Sequence, residues 1–395
     1  MNKYAIPEIS DGIYAIGAID WKRRIFDALA HTPLGTTYNS YLVRGKSGNA
    51  LIDTIHPGFE QEWSAKIDQI LGSHAIDYVI MNHAEPDHAG SIPYVLSRTK
   101  AVLVTTKKGA ELAGLFYRVP PDRIKEIGDG STVDLGGKTL KFISTPFVHW
   151  PETMFTYIPE NRLLFPCDFF GSHNPTGFFD DEADDIILWA KRYYGEIMMP
   201  LAKMGRAAMQ KIKDLDIAFI APSHGPVYRR PEVILDAYAK WTSGETAAKA
   251  LVVYVSMYGH TERMAHIVSE ELKRRNVAVR LFDMAVTDVG ELPEHLVDSR
   301  ALVIASPTVL GSMHPLIQFA GIMIKTLKPP TKYGLFVNSY GWGKSATAQG
   351  IEFFESAKIE NVAVVEVNAG VSNQDNDNLV SAAAALADRI GVAGT

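Results

Sequence analysis

The chain has 395 residues, 47% of them hydrophobic and 21% charged, a formal net charge of −6 and one cysteine, Cys167. This length predicts two or three domains with real cores, and the acidic balance offers no electrostatic footprint for nucleic acid. A single cysteine excludes a disulfide framework and a cysteine-ligated iron–sulfur or rubredoxin module, and with no bilayer-length apolar run and no signal-peptide core in MNKYAIPEIS the expectation is a cytoplasmic protein without a membrane partner.

Residues 1 to about 245 read as short strands with interspersed helices. Strands are predicted at Tyr38–Val43, Ala50–Asp53, Tyr78–Met81, Val102–Thr105, Thr139–Ser144 and Arg162–Phe165, punctuated by Gly128-Asp129-Gly130 and Gly136-Gly137. A long helical stretch is expected over Asp185–Asp214, followed by a strand at Ile217–Ala221 that runs into Ser223-His224-Gly225. The small, polar segment Thr242–Lys249 is the expected joint, giving one domain over 1–245 and another over 250–395. Beyond it, apolar strands alternate with helices: Ala250–Val255, Val277–Phe282, Ala301–Ala305, Tyr333–Asn338 and Val362–Glu366. That alternation is the pattern of a doubly wound parallel sheet. The basic cluster Lys273-Arg274-Arg275 ends a helix in this reading, where the helix dipole favours cations.

The densest local chemistry is His83-Ala84-Glu85-Pro86-Asp87-His88, directly after an apolar strand. On a helix these side chains would diverge; on a loop after a strand they can converge on one metal site. Further ligand types follow later strands: His149, Asp168 and His224. Taken singly, His149 beside Trp150 reads equally as a packed core histidine, and Asp168 before Phe169-Phe170-Gly171 as a helix cap. Their order and strand-end placement after the first cluster favour metal. His173 is either a surface-loop histidine or a group lining the site behind the ligands. Cys167 reads as a small buried apolar residue.

In the second half, the first strand ends in Ser256-Met257-Tyr258-Gly259-His260-Thr261, with a helix expected from Glu262. Hydroxyls and free amides at a helix N-terminus cradle phosphate, although Thr261 alone could be an ordinary N-cap. The third strand leads into Pro307-Thr308-Val309-Leu310-Gly311 after Ser306, and the fourth into Ser339-Tyr340-Gly341-Trp342-Gly343 after Asn338. In a 2-1-3-4-5 sheet these three loops meet at the carboxyl edge, near the switch point. No GxGxxG motif is present, so dinucleotide binding is not indicated.

The order HxExDH, His, Asp, SHG resembles the metallo-β-lactamase fold, an αββα sandwich, and more narrowly its flavodiiron branch. Glu85 stands where the hydrolases of that fold usually carry a second histidine. Phe147-Val148-His149-Trp150-Pro151-Glu152 and Gly35-Thr36-Thr37-Tyr38-Asn39-Ser40-Tyr41 are also similar to flavodiiron proteins, and the three C-terminal loops resemble the phosphate and isoalloxazine loops of flavodoxins. The resemblance covers nearly the whole chain. It implies one iron held by His83, Glu85 and His149, a second by Asp87, His88 and His224, and Asp168 as the bridge. It also implies FMN with Trp342 or Tyr340 stacked on its ring, and Gly311, Gly341 and Gly343 admitting backbone to it.

The charge balance fits. Two divalent ions about 3.5 Å apart repel by roughly 19 kcal/mol at an effective dielectric of about 20, and three carboxylates with one hydroxide neutralise them. The function so implied is reduction of dioxygen to water or of nitric oxide to nitrous oxide. The electron donor would be a rubredoxin-like protein or a reduced deazaflavin, and the assembly a head-to-tail homodimer or a dimer of dimers. The alternative is a metal-dependent hydrolase of the same N-terminal fold with an accessory flavodoxin-like module.

Overall fold

The computed structural model describes residues 4–391. The chain divides into two compact units, one running to Tyr194 and including Leu201–Thr242, the other comprising Gly195–Pro200 and the chain from Ser243 onward.

The first unit carries two facing sheets. One orders its strands Glu8–Ser10, Ile13–Ala15, Tyr41–Arg44, Asn49–Ile52, Tyr78–Ile80, Val102–Thr106 and Ile124–Ile127; the other orders Thr132–Asp134, Thr139–Ser144, Met154–Ile158, Leu163–Phe165 and Phe219–Ile220. Ile52, Ile80 and Val104 of the first sheet share one buried cluster with Phe142, Met154 and Phe165 of the second, so the core lies between the sheets. The opposite face of the first sheet, through Leu51, Val79 and Leu103, packs on helix residues Trp63, Ile67 and Val95. An αββα sandwich results. Asn49–Ile52, Tyr78–Ile80 and Val102–Thr106 run parallel, which brings their carboxyl ends to one edge.

The second unit is a five-stranded parallel sheet in the order Ala278–Asp283, Ala247–Tyr254, Ser299–Val309, Tyr333–Tyr340, Glu360–Asn368, with the hairpin strand Ser312–Met313 added to the third-strand end. This is the flavodoxin-like 2-1-3-4-5 arrangement. Its three central strands, buried on both faces for most of their length, are near-continuous apolar runs in the sequence.

Several local expectations need correction. The helix expected over Asp185–Asp214 is interrupted: helix Ile186–Tyr193 widens over Tyr194–Met198, tightens over Met199–Leu201 and resumes as Ala202–Ile212. Pro200 sits in the break and has no N–H to continue a helical ladder. The third and fourth strands continue past Ala305 and Asn338, because Pro307 still pairs with Ser339 and Thr308 with Met313. Helix Pro231–Ser243 and strand Ala247–Tyr254 both reach into the expected joint, leaving only residues 244–246 outside them. The helix after the first C-terminal strand begins at His260, with Gly259 at its cap in the left-handed region, so Thr261 is not the cap.

Candidate functional site

His83 and Glu85 leave the strand Tyr78–Ile80 on a loop, but Asp87 and His88 lie on a single helical turn, Pro86–Ala89. The turn starts on a proline, a residue pre-set for the first helical position. The turn does not prevent convergence, because loop and turn face the same point from two sides. The approach is fixed from behind: Asn82 donates from its backbone and side-chain nitrogens to Asp53, at 2.8 and 3.1 Å, and Thr54 donates from N and Oγ1 to the carbonyl of His88, both at 2.6 Å.

Two groups of side chains form there. In one, Oε2 of Glu85 lies 3.1 Å from His83 Nε2 and 3.2 Å from His149 Nε2. In the other, Oδ2 of Asp87 lies 3.2 Å from His88 Nε2 and 3.1 Å from His224 Nε2. Asp168 reaches both: Oδ2 is 3.1 Å from His149 and 3.4 Å from His83, while Oδ1 is 3.0 Å from His88 and 3.6 Å from His224. Ser223 Oγ donates to Asp168 Oδ1 at 2.6 Å and steadies it.

This donor set fits a pair of metal ions. Atoms bound at about 2.1 Å to one tetrahedral ion stand about 3.4 Å apart, close to the spacings above. His88 Nε2 meets Asp168 without hydrogen-bond geometry, and Asp87 Oδ1 is buried with no partner, so direct pairing does not satisfy the cluster. Mixed imidazole and carboxylate donors suit iron.

The electrostatics of these side chains agree. Burial opposes charge on His83, but hydrogen bonds to Glu152 and Glu85 outweigh it and lift the imidazole to about 9. Burial is likewise overridden at His88, by Asp168 and Asp87, to about 9, and at His149, by Asp168 and Glu85, to about 10. Burial would raise Glu85, yet His149 and His83 hold it below the usual carboxylate range, and His88 and His149 do the same for Asp168.

The segment Gly35–Tyr41 acts as a brace for the loop that carries His224. Asn39 Nδ2 donates to the carbonyls of Pro222 and Gly225 at 2.9 and 2.8 Å, Tyr41 Oη to Pro222 at 2.6 Å, and Gly225 N to Thr37 Oγ1 at 2.7 Å. His173 is buried, not on the surface, with its ring 5.0 Å from that of His224 and its Nδ1 2.8 Å from Thr36 Oγ1. Burial, then the neighbouring His224, hold it well below the usual imidazole range, so it is neutral. Cys167 is buried, and burial pushes its thiol up.

Sequence reasoning missed the hairpin Ile25–Phe26 with Ala30–His31. Its three-residue loop, Asp27 to Leu29, turns on Asp27 and Ala28, whose φ of 49° and 56° Asp tolerates but which carry no Gly signal. With Arg23 and His56, Phe26 and Asp27 line a cavity of 180 Å³ that reaches Glu85, Pro86 and Asp87. Also missed was Glu152, whose role depends on a partner 69 residues away, His83.

In the second unit the three loops enclose a cavity of 730 Å³ lined by Ser256, Met257, Tyr258, His260, Thr261, Pro307, Thr308, Val309, Leu310, Gly311, Ser339, Tyr340, Gly341, Trp342 and Gly343, together with Lys344 and Ala369. Gly259 is not among its lining residues. Thr261 Oγ1 is 2.8 Å from Ser339 Oγ, tying the first loop to the third, and Ser256 Oγ is buried without a partner. Trp342 is 85% exposed, so its ring stands clear of the protein core. Gly311 and Gly343 have φ of +78° and +80°, and a Cβ on either would meet no protein atom within 4 Å, so that space is open to a ligand. An unpartnered hydroxyl beside a helix N-terminus and an exposed aromatic loop fit FMN.

Comparison with known proteins agrees with both halves. Residues 36–225 match the ODP family beta lactamase model and residues 252–377 the Flavodoxin model. A nitric oxide reductase from Moorella thermoacetica is 37% identical, over 90% of this chain and 91% of its own. The rubredoxin oxygen:oxidoreductase of Desulfovibrio gigas superposes with a TM-score of 0.93 at 26% identity, covering 98% of each chain. The flavodiiron protein of Giardia intestinalis gives 0.91 at 28% identity, covering 99% of this chain and 98% of that one. With relatives aligned along nearly its full length and cofactor cradles in both units, the chain belongs to the flavodiiron protein family, oxidoreductases that carry FMN and a di-iron site.

Proposed function

We propose that this chain reduces dioxygen to water, or couples two nitric oxide molecules to nitrous oxide, at a di-iron site in a domain spanning 1–245, with FMN in a domain spanning 250–395. The observation that carries the reading is Asp168, whose two oxygens face two separate His/carboxylate groups. His83, Glu85 and His149 would hold one iron, Asp87, His88 and His224 the other, and Asp168 would span them. When bound, the irons supply gas binding and FMN supplies a two-electron store, so four electrons are available together.

The residues of the chain hold, shape and neutralise. Three carboxylates offset the ions' repulsion, and the hairpin residues Phe26 and Asp27 narrow the approach to Glu85 and Asp87. His173, neutral and buried beside His224, is assigned to the wall of the gas pocket. The loops Ser256–Thr261, Pro307–Gly311 and Ser339–Gly343 hold FMN in this reading, with Gly259 acting through the helix cap. Dioxygen reduction consumes four electrons and four protons per molecule, and nitric oxide coupling two of each per nitrous oxide formed.

The assembly is assigned as a head-to-tail homodimer, alone or paired into a dimer of dimers. Apolar side chains are exposed on the hairpin beside the metal cavity, Ile25 and Leu29, and on the rim of the FMN cavity, Tyr258, Leu310 and Trp342; this exposed apolar surface, which a partner chain would cover, supports the arrangement. The donor is assigned as a separate rubredoxin-like protein, with a reduced deazaflavin as the competing outcome, and the compartment as the cytoplasm. Among the described residues no helix is long and apolar enough to cross a membrane.

The test is a gas-consumption assay on reduced protein, followed by a mixed dimer of an Asp168→Ala chain with a chain altered in Ser256–Thr261. Oxygen or nitric oxide uptake is expected, with about half the normal rate per mixed dimer and almost none in either parent dimer. Hydrolase activity on two bound zincs, without gas uptake, would overturn the reading. An inactive mixed dimer would overturn the head-to-tail arrangement alone.

A further inference from the structure

The two metal groups differ in what stands behind their imidazoles. His224 donates a hydrogen bond from Nδ1–H to the backbone carbonyl of Thr37, 2.5 Å away, and His88 Nδ1 is buried with no partner. His83 Nδ1 instead meets a carboxylate, Oε1 of Glu152, at 2.7 Å, and neither side chain is exposed to solvent. The same oxygen accepts from the backbone N–H of Ala84 at 2.8 Å, which locks the carboxylate in the loop carrying His83 and Glu85. The other oxygen, Oε2, is buried with no partner among the described residues, so the imidazole, with whatever it binds, and the Ala84 N–H compensate this buried charge. Trp150 stands edge-on to the His83 ring at 5.1 Å and closes that side to water.

An imidazole whose Nδ1–H donates to a carboxylate is oriented and becomes a stronger electron donor at Nε2 than one bonded to a carbonyl or to nothing. The His83 group therefore has a carboxylate hydrogen-bonded behind an imidazole, Glu152, besides Glu85 and the shared Asp168, whereas the other group has Asp87 and Asp168, with the buried Asp53 bonded to Asn82 and acting on His88 without a hydrogen bond. Resting on the di-iron reading above, we infer that Glu152 is a positioning residue that makes the iron pair electronically unequal. The iron at His83 holds the ferric state more strongly and has the lower potential. The iron at His88 and His224 takes an electron first on reduction; the His83 iron gives one up first on oxidation.

The experiment is a potentiometric titration of the loaded protein, following the electron paramagnetic resonance signal of the half-reduced iron pair, in the natural chain and in Glu152→Gln. Glutamine keeps the length and leaves an oxygen for His83 and Ala84 while removing the charge. Both irons should remain by metal analysis. The lower of the two couples should rise while the upper stays, narrowing the range over which the half-reduced signal is seen. Both irons present with neither couple moved, or with only the upper one moved, would overturn the inference. If Glu152→Gln fails to fold or to keep both irons, chelator competition for Fe²⁺ on Glu152→Asp decides instead. One iron of the two should then weaken by about 10–100-fold, the usual effect of losing a group behind a ligand. Equal weakening of both irons, or no weakening, would overturn it. A natural chain without two irons fails the functional reading first, and the two failures are thereby distinct.

Discussion

The carbonyl oxygen of Thr37 accepts the Nδ1 proton of His224 at 2.5 Å and so leaves Nε2 of that ring to face Asp87, 3.1 Å away. The orientation of His224, late in the first unit, is thus set by a backbone group 187 residues earlier. The surrounding brace gives the Gly35–Tyr41 motif a physical job that its sequence alone did not reveal.

Asn39→Ala should expose that job. It deletes the two side-chain bonds to the carbonyls of Pro222 and Gly225. Leaving such groups unpaired costs about 1–3 kcal/mol. Thermal unfolding should show the loss, and metal analysis should show iron depleted with FMN content unchanged. Normal melting together with full iron occupancy would mean the brace is dispensable.

Asp168→Ala should abolish gas reduction while FMN stays bound. The substitution removes a side chain that faces both groups and leaves His88 without the carboxylate it shares with His83 and His149. Absorption spectra report the flavin and an oxygen electrode the activity. Wild-type uptake in this variant would mean the bridge lies elsewhere.

Metal-free protein should lose stability as the medium turns alkaline. His83 and His88 are raised from 6.5 to about 9, and His149 to about 10, because their carboxylate partners outweigh burial. The stabilisation is complete below pH 6.5 and is lost as pH rises through those values. Iron needs the neutral rings, so loading releases these protons and affinity climbs over the same window. Calorimetric melting of the metal-free chain from neutral to alkaline pH tests this; a melting point that rises across the window contradicts it.

Ser256→Ala should weaken FMN binding. Its hydroxyl is buried at the cavity with no protein partner. A hydrogen bond from a hydroxyl to a charged phosphate contributes about 1.5–3 kcal/mol, or roughly a 10- to 100-fold change in Kd. Flavin fluorescence on titrating the FMN-free chain measures it, and an unchanged Kd would place the phosphate elsewhere.

Legibility in the sequence followed locality. The parallel sheet of the second unit was readable because its strands are apolar runs separated by helices. The six residues from His83 to His88 declared themselves by density, and each later metal-group residue follows a strand. The hairpin over Glu85 stayed hidden because its strands are two residues long and its turn uses Asp27-Ala28 instead of Asn-Gly. The partnership of Glu152 with His83, and of Thr36 with His173, joins residues far apart in the chain, and no spacing rule reaches that far. The helix broken at Pro200 was a local signal that the surrounding helical periodicity outweighed.

The central claim is that one chain holds an FMN and a pair of irons that work together. The most direct measurement is the metal and flavin content of protein purified with ample iron, taken with its gas uptake. The two His/carboxylate groups and the flavin cavity predict about two irons and one FMN per chain, and consumption of oxygen or nitric oxide once the protein is reduced. Two firmly held zincs, or a full complement of iron and FMN with no gas uptake, would contradict it.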